Sequence, residues 1–222
     1  MSTTEHPAAT RGSSAASSRT WLLLTMSVAL GLVGGVLTSF GQTVLPGGWS
    51  ALANSASTWV TIAFLVGLAA AGRWRTAAVA GLLTQAGLVV GYYAATEARG
   101  YAASMTAVII WVGTGVVAGP AYGLSGALLR TPRRPIRVAA VGITGSVWLC
   151  EGLRYLWLAT DATSHSGPGT TAGWCYIAVG VLLPVVLARS MRDRCWALLA
   201  LAAGVGVAAA AFVVVQATFL HV

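Results

Sequence analysis

Charge is scarce in this chain, and lysine is missing from it altogether. Only 8% of the 222 residues are charged, whereas 57% are hydrophobic. A soluble domain carries about 25% charged residues, so this composition excludes an ordinary water-soluble globular protein. All 13 basic residues are arginines, and the chain has only 5 acidic residues. Because the charges are separated by long apolar runs, the lipid bilayer is the natural solvent of the chain.

Cysteine and the motifs of known enzymes are also scarce. The three cysteines, Cys150, Cys175 and Cys195, form no C-x-x-C pair, and their odd number argues against a disulfide framework. We interpret them as small apolar packing residues. No H-E-x-x-H, P-loop, G-x-S-x-G or dinucleotide-binding motif occurs, and His165 is isolated in a loop. We therefore expect no metal site, no cofactor and no enzymatic activity.

Seven apolar runs have the character of membrane-spanning helices. Residues 1–20 combine Ser, Thr, Ala and scattered charge without an apolar period, which predicts a disordered cytoplasmic tail. Residues 21–222 are expected to form a single transmembrane helical domain. The predicted fold is thus an all-α polytopic bundle with seven spans. The predicted spans are 21–40, 59–72, 76–95, 103–129, 138–158, 172–188 and 195–219.

The second and fourth spans are irregular. Residues 59–72 make only about 21 Å of helix, against a hydrocarbon core of about 30 Å. The second span therefore crosses only if the polar stretch 54–58 continues it and faces other helices. In the fourth span, Gly115, Gly119 and Gly123 form a smooth stripe, which favours tight packing over a hinge. Pro120 should kink that helix.

The arginines predict the orientation of the bundle. Arg99 is the single arginine in the gaps after spans one, three and five. By the positive-inside rule the arginine-rich side is cytoplasmic, so the N-terminus is inside and the C-terminus is outside. We expect the cluster 130–137 to set this topology, with anionic lipid head groups as an alternative role. Eleven arginines lie in the tail or in the gaps after spans two, four and six: Arg11, Arg19, Arg73, Arg75, Arg130, Arg133, Arg134, Arg137, Arg189, Arg192 and Arg194.

The fifth span is the apolar run that contains charges, Glu151 and Arg154. An ionisable residue at bilayer depth is costly, and by default it indicates a functional site. Counted from residue 137, Glu151 lies about 21 Å and Arg154 about 26 Å along the helix, in the predicted outer half of the membrane. Their i,i+3 spacing lets the two side chains meet on one helix face.

Two functions fit these residues. The leading hypothesis is a small-molecule or ion-binding protein of permease or transporter-component type, with a site that combines Glu151 and Arg154 with Asn54, Gln42 and Trp111. The alternative is a non-transporting scaffold or sensor subunit in which Glu151 and Arg154 neutralise each other. An intramembrane enzyme that uses Glu151 as acid or base comes third. The expected partners are membrane lipids, a small ligand or ion, and a second copy or another membrane subunit, but no nucleic acid.

Five stretches together carry a family resemblance. They are LTSFGQ (37–42), LANSASTWVTIAFLVG (52–67), GYY (91–93), GPAYG (119–123) and CEGLRY (150–155). They resemble an uncharacterised family of actinobacterial multi-pass membrane proteins, DUF6518, over nearly everything after the N-terminal tail. LANSASTW is the most specific piece. The resemblance implies a helical bundle in the bacterial plasma membrane, and it supplies no activity, substrate or catalytic residue.

Overall fold

A computed structural model describes residues 11–160 and 167–220, and throughout these residues the regular secondary structure is helical, without a strand. A short 3-10 turn (Gly47–Trp49) precedes the second helix. The helices, in chain order, are α1 (Arg11–Val44), α2 (Ser50–Ala53), α3 (Ala56–Ala69), α4 (Trp74–Ala98), α5 (Met105–Leu128), α6 (Arg134–Thr160), α7 (Gly169–Leu187) and α8 (Met191–Leu220).

Six of these helices, α1 and α4 to α8, are long and apolar enough to cross a membrane. The segment Gly47–Ala53 and helix α3 make a seventh span if they are counted as one, with a bend of 40° at the break between them. The predicted all-α membrane bundle is therefore confirmed. The polar stretch before residue 59 is the place where the second span breaks, because Asn and Ser compete for backbone hydrogen bonds and favour helix ends.

The first helix begins earlier than predicted. Helix α1 starts at Arg11, ten residues before Trp21, so the predicted disordered tail is wrong for residues 11–20. The cause is that extending an existing helix costs far less than nucleating one, and small Ala and Ser residues do not oppose the extension. Residues 1–10 of the predicted tail and the loop residue His165 lie outside the described residues.

The helices pack in two groups that meet at α3 and α5. In the first group α4 packs against α1, α3 and α5; in the second, α6 packs against α7 and α8. Helices α3 and α5 also contact α6 and so join the groups. Glu151 is on α6 and Asn54 precedes α3, so the α3–α6 contact brings these two parts of the chain together.

Glycines allow the closest helix contacts. On α5, Gly119 and Gly123 lie against α4, and a Cβ on Gly123 would collide with the carbonyl oxygen of Ala77. The predicted packing role of the glycine stripe is thus confirmed. Helix α5 continues as one element through Pro120.

The arginine-rich end of the bundle is held by an ion-pair cluster. Short connections make successive helices antiparallel, so the loops 70–73, 129–133 and 188–190 share this end. Asp193, near the start of α8, accepts from Arg134 Nε at 2.6 Å and from Arg137 Nη2 at 3.4 Å. These bonds tie the beginning of α8 to the beginning of α6. No pattern in the sequence indicates a carboxylate partner for either arginine.

Candidate functional site

The break between α2 and α3 creates a helix N-terminus inside the bundle. Ser55 has extended backbone angles (φ −125°, ψ 147°) and caps α3, since its Oγ accepts from the N–H of Thr58 at 3.2 Å. Ser55 and Ser57 are both buried. The first backbone N–H groups of a helix have no partner within the helix, so at a buried end they must find acceptors elsewhere in the protein.

Glu151 of α6 supplies those acceptors. One carboxylate oxygen accepts from the N–H of Ala56 at 3.1 Å, and the other accepts from the N–H of Ser57 at 2.9 Å. The hydroxyl of Ser57 donates to this second oxygen as well. Glu151 is only 4% exposed. A carboxylate at this position also faces the positive end of the helix dipole, so the buried charge is compensated by three uncharged donors.

Arg154 forms no ion pair with Glu151 in the described residues. Within the part of the chain that the structure describes, Asp193 forms ion pairs, with Arg134 and Arg137, and Glu151 forms none. The half-buried guanidinium of Arg154 instead lies 5.8 Å from the ring centroid of Phe212 on α8. The predicted Glu151–Arg154 pair is therefore wrong as a direct contact. Spacing along α6 permits it, but the N-terminus of α3 offers Glu151 three donors at once.

An aromatic and hydroxyl shell surrounds the contact between α3 and α6. The hydroxyl of Tyr176 on α7 donates to Ser55 Oγ at 3.1 Å, and the Tyr155 ring packs edge-on against Tyr176 at 5.1 Å. On the next turn, Trp148 Nε1 donates to Thr61 Oγ1 at 3.1 Å. These contacts fix α6 and α7 against the start of α3.

The three other predicted site residues do not bond to Glu151. Asn54 is exposed at the break itself. Gln42 accepts from the Tyr92 hydroxyl at 3.2 Å, and its buried Nε2 has no hydrogen-bond partner in the described residues. Trp111 packs against Trp59, with ring centroids 5.6 Å apart. The structure therefore separates the predicted site into the Glu151 contact and an aromatic cluster next to it.

A small cavity lies beside the aromatic cluster, at the start of α3. Its volume is about 20 Å³, enough for about one water molecule. Its lining includes Ala56 at the start of α3, and the side chains of Trp59, Gln85, Trp111 and Thr114. Gln85 Nε2 donates to the carbonyl of Trp59 at 2.8 Å, while Trp59 Nε1 is buried without a partner in the described residues.

Sequence reasoning missed Gln85 and Trp59, although Gln85 gave a signal. It is an amide within the apolar third span, and it is buried at 4% exposure.

A second, larger cleft of about 290 Å³ lies between the 3-10 turn and the start of α7, and none of the five predicted site residues lines it.

Comparison with known proteins gives one match. Residues 14–220 match a family model described as "Family of unknown function (DUF6518)". The match covers most of the chain and confirms the predicted family. No curated protein and no solved structure matches the chain.

Proposed function

Because the chain belongs to DUF6518, a family of unknown function, we propose a function from the geometry of the broken span. The protein binds a small molecule or ion at the α2–α3 break, in the outer half of the bundle, and carries it across the bilayer. One observation carries the proposal: α3 begins inside the bundle, and a buried carboxylate of another helix holds its first N–H groups. Half-helix ends of this kind form the substrate and ion sites of many secondary transporters.

The cost of this arrangement supports a functional site. An unbroken helix would leave no orphan N–H groups at this depth, and an apolar residue at position 151 would bury no charge. Irregular backbone within a membrane is tolerated where it is buried in protein or lines a cavity. Here the start of α3 lines a cavity together with Trp59 and Gln85.

The location we propose is the bacterial plasma membrane, with the arginine-rich end in the cytoplasm. On this orientation the N-terminus is inside, the C-terminus is outside, and Glu151 lies in the outer half. The partners we propose are membrane lipids and a small ligand, together with a second copy or another membrane subunit. We propose no cofactor, nucleic-acid partner or enzymatic activity.

A second candidate is a non-transporting scaffold or sensor subunit. The observation that favours it is that each of the three donors to Glu151 is a protein group. Moreover, neither of the two described cavities is lined by Glu151 itself. In this function the contact between Glu151 and the start of α3 fixes α3 to α6, in place of the predicted Glu151–Arg154 pair.

Thermal unfolding of the purified protein in detergent tests the two functions. Wild type, Glu151→Gln and the matched control Glu97→Gln are titrated with a small-metabolite library; Glu97 is exposed, and its change removes the same charge. A ligand at 100 times its Kd adds about 2.7 kcal/mol to the free energy of unfolding. If a ligand binds at the break, one compound should raise the melting temperatures of wild type and Glu97→Gln equally. Its affinity for Glu151→Gln should differ from its affinity for wild type. If no compound stabilises wild type, the scaffold function is favoured.

A further inference from the structure

We propose that Arg154 binds the phosphate group of a phospholipid, in the leaflet at the end of the bundle opposite the arginine-rich end. On the orientation proposed above, this is the outer leaflet. The inference goes beyond the proposed function and does not rest on it, because it involves neither the α2–α3 break nor a carried ligand.

Arg154 is a cation without a counter-ion among the described residues. Its guanidinium forms neither an ion pair nor a hydrogen bond there, and it lies over the ring of Phe212 at 5.8 Å. A ring face attracts a cation but accepts no strong hydrogen bond, so the N–H groups of Arg154 remain available. Arg99, at the same end of the bundle, donates to two oxygens of Ser39 and to Thr43 Oγ1. Arg154 therefore needs an acceptor from outside the chain, whereas Arg99 does not.

Exposed tryptophans indicate how deep Arg154 lies. Trp157, three residues after Arg154, is 64% exposed, and Trp174 near the start of α7 is 62% exposed. At the arginine-rich end, the exposed tryptophans are Trp21, Trp74 and Trp196. Tryptophan is enriched at both membrane–water interfaces. From Arg137 to Trp157, α6 rises about 30 Å, which equals the thickness of the hydrocarbon core. Arg154 therefore lies within one helical turn of the interface, and its long side chain reaches the head groups.

The shape and charge of the guanidinium favour a phosphate group as its partner. Arginine presents five donors in a planar fork, which binds two oxygens of one phosphate. A phospholipid holds such an anion at the level of the head groups, so charge and depth agree. The carboxylate of Glu151 does not compete, because it already accepts from the N–H groups of Ala56 and Ser57.

The neighbouring surface of α8 provides room for an acyl chain. The buried side chains of α8 are Asp193, Ala197 and Leu201, all in the part nearest the arginine-rich end. Among the described side chains of α8 beyond Leu201, none is buried, and residues 202–215 are all apolar. This apolar surface runs from Phe212 toward the centre of the membrane. A lipid with its phosphate on Arg154 can therefore lay one acyl chain along α8.

Thermal unfolding of the protein, purified in a maltoside detergent and freed of lipid, tests this site. Wild type, Arg154→Gln and the matched control Arg99→Gln are titrated with dioleoyl phosphatidylglycerol and with the phosphate-free lipid glucosyl dioleoylglycerol. Arg99→Gln removes the same charge at the same end of the bundle. We expect the phospholipid to half-saturate the melting shift of wild type and Arg99→Gln at concentrations about tenfold lower than for Arg154→Gln, which lacks the charge-assisted bonds to phosphate. The glucolipid should shift all three proteins alike.

Two further measurements sharpen the test. Arg154→Lys keeps the charge but loses the planar fork, so its affinity for the phospholipid should lie between those of wild type and Arg154→Gln. Native mass spectrometry counts bound lipids, and wild type should retain one phosphatidylglycerol more than Arg154→Gln. Inorganic phosphate tests a soluble source of the same anion and should shift wild type less than the phospholipid does, because it has no acyl chain.

Three outcomes would overturn the proposal. The first is an equal affinity of wild type and folded Arg154→Gln for the phospholipid, with helicity checked by circular dichroism. The second is a glucolipid that stabilises wild type as strongly as the phospholipid. The third is a wild-type response to inorganic phosphate that equals the response to the phospholipid, which would make the site one for a soluble anion.

This proposal and the proposed function can fail separately. If phospholipid binding depends on Arg154 but no library compound stabilises wild type, the lipid site stands and the proposed function is wrong. If a library compound binds at the α2–α3 break while wild type and Arg154→Gln take up the phospholipid alike, the proposed function stands and the lipid site is wrong.

Discussion

Two carboxylates in the described chain are equally buried and are satisfied in opposite ways. Glu151 and Asp193 are each 4% exposed. Asp193 lies at the arginine-rich end and accepts from two guanidinium groups. Glu151 lies far along α6 and accepts from two backbone N–H groups and a hydroxyl. The same chemical group is therefore held by cations in one region and by the start of a helix in the other.

The difference follows from the hydrogen-bond donors that are available near the end of the bundle and in its interior. Near the end of the bundle, long arginine side chains reach a carboxylate while remaining in contact with solvent; the side chain of Arg134 is still 38% exposed. At depth, a second charge would add a further desolvation cost, whereas a helix N-terminus supplies donors without net charge. Such an end exists at depth only where a helix is broken. The break before α3 and the acid on α6 therefore depend on each other.

The largest effect should come from Glu151→Ala. It leaves three buried donors without an acceptor, so we expect the free energy of unfolding to fall by about 3–5 kcal/mol. Equilibrium unfolding in detergent, in a buffer without carboxylate anions, measures this loss. A loss below about 1 kcal/mol would mean that water replaces the carboxylate, and the contrast with Asp193 would then disappear.

Ser57→Ala should have the next largest effect. The change keeps both backbone N–H bonds to Glu151 and removes only the hydroxyl donor, so we expect a loss of about 1–2 kcal/mol. Ser50→Ala is the matched control, because the Ser50 hydroxyl donates to the carbonyl of Gly47 at an exposed position. Equal melting temperatures for the two variants would show that the hydroxyl contributes nothing to the hold on α3.

Asp193→Asn should lower the melting temperature less than Ser57→Ala does. Water can hydrate the arginines that this change releases, since they lie at the end of the bundle. The effect should also depend on salt, because ions screen exposed charges more than buried ones. Melting curves at about 0.05 and 0.5 M NaCl check this: the difference from wild type should shrink for Asp193→Asn and persist for Glu151→Ala. The same salt dependence in both variants would contradict the comparison.

Arg154→Gln should have the smallest effect on stability. Arg154 makes no ion pair in the described residues, so we expect a change within about 0.5 kcal/mol. For the same reason, the double change Glu151→Gln/Arg154→Gln should be no more stable than Glu151→Gln alone. A double variant that clearly exceeds Glu151→Gln in melting temperature would restore the Glu151–Arg154 pair that the sequence predicted.

The sequence predicted much of the fold because membrane helices are specified locally. Apolar runs of sufficient length locate the spans, and the short run 59–72 with its polar start at 54–58 indicated that the second span is irregular. Glu151 stood out because a carboxylate in an apolar run is costly wherever it is placed. These signals lie within single segments of the chain, so no knowledge of the packing was needed to find them.

The partner of Glu151 could not be predicted in this way. The i,i+3 rule offered Arg154 on the same helix, whereas the donors lie 94 and 95 residues earlier in the chain. Two of them are backbone N–H groups, which any residue except proline possesses and which no side-chain pattern can indicate. Gln42 and Trp111 were placed in the site by their depth alone, and depth does not tell which face of a helix a residue occupies.

The depth of Glu151 also has an electrical consequence. Helix α6 begins at Arg134, so Glu151 lies about 26 Å along its axis and Arg154 about 4.5 Å further. One charge carried across a whole membrane changes energy by about 2.3 kcal/mol per 100 mV. Moving the Glu151 charge the distance between these residues covers about 15% of a 30 Å core. A displacement of that size would thus be biased by about 0.3 kcal/mol per 100 mV. On the proposed orientation, with the arginine-rich end in the cytoplasm, an inside-negative potential would favour displacement toward Arg154.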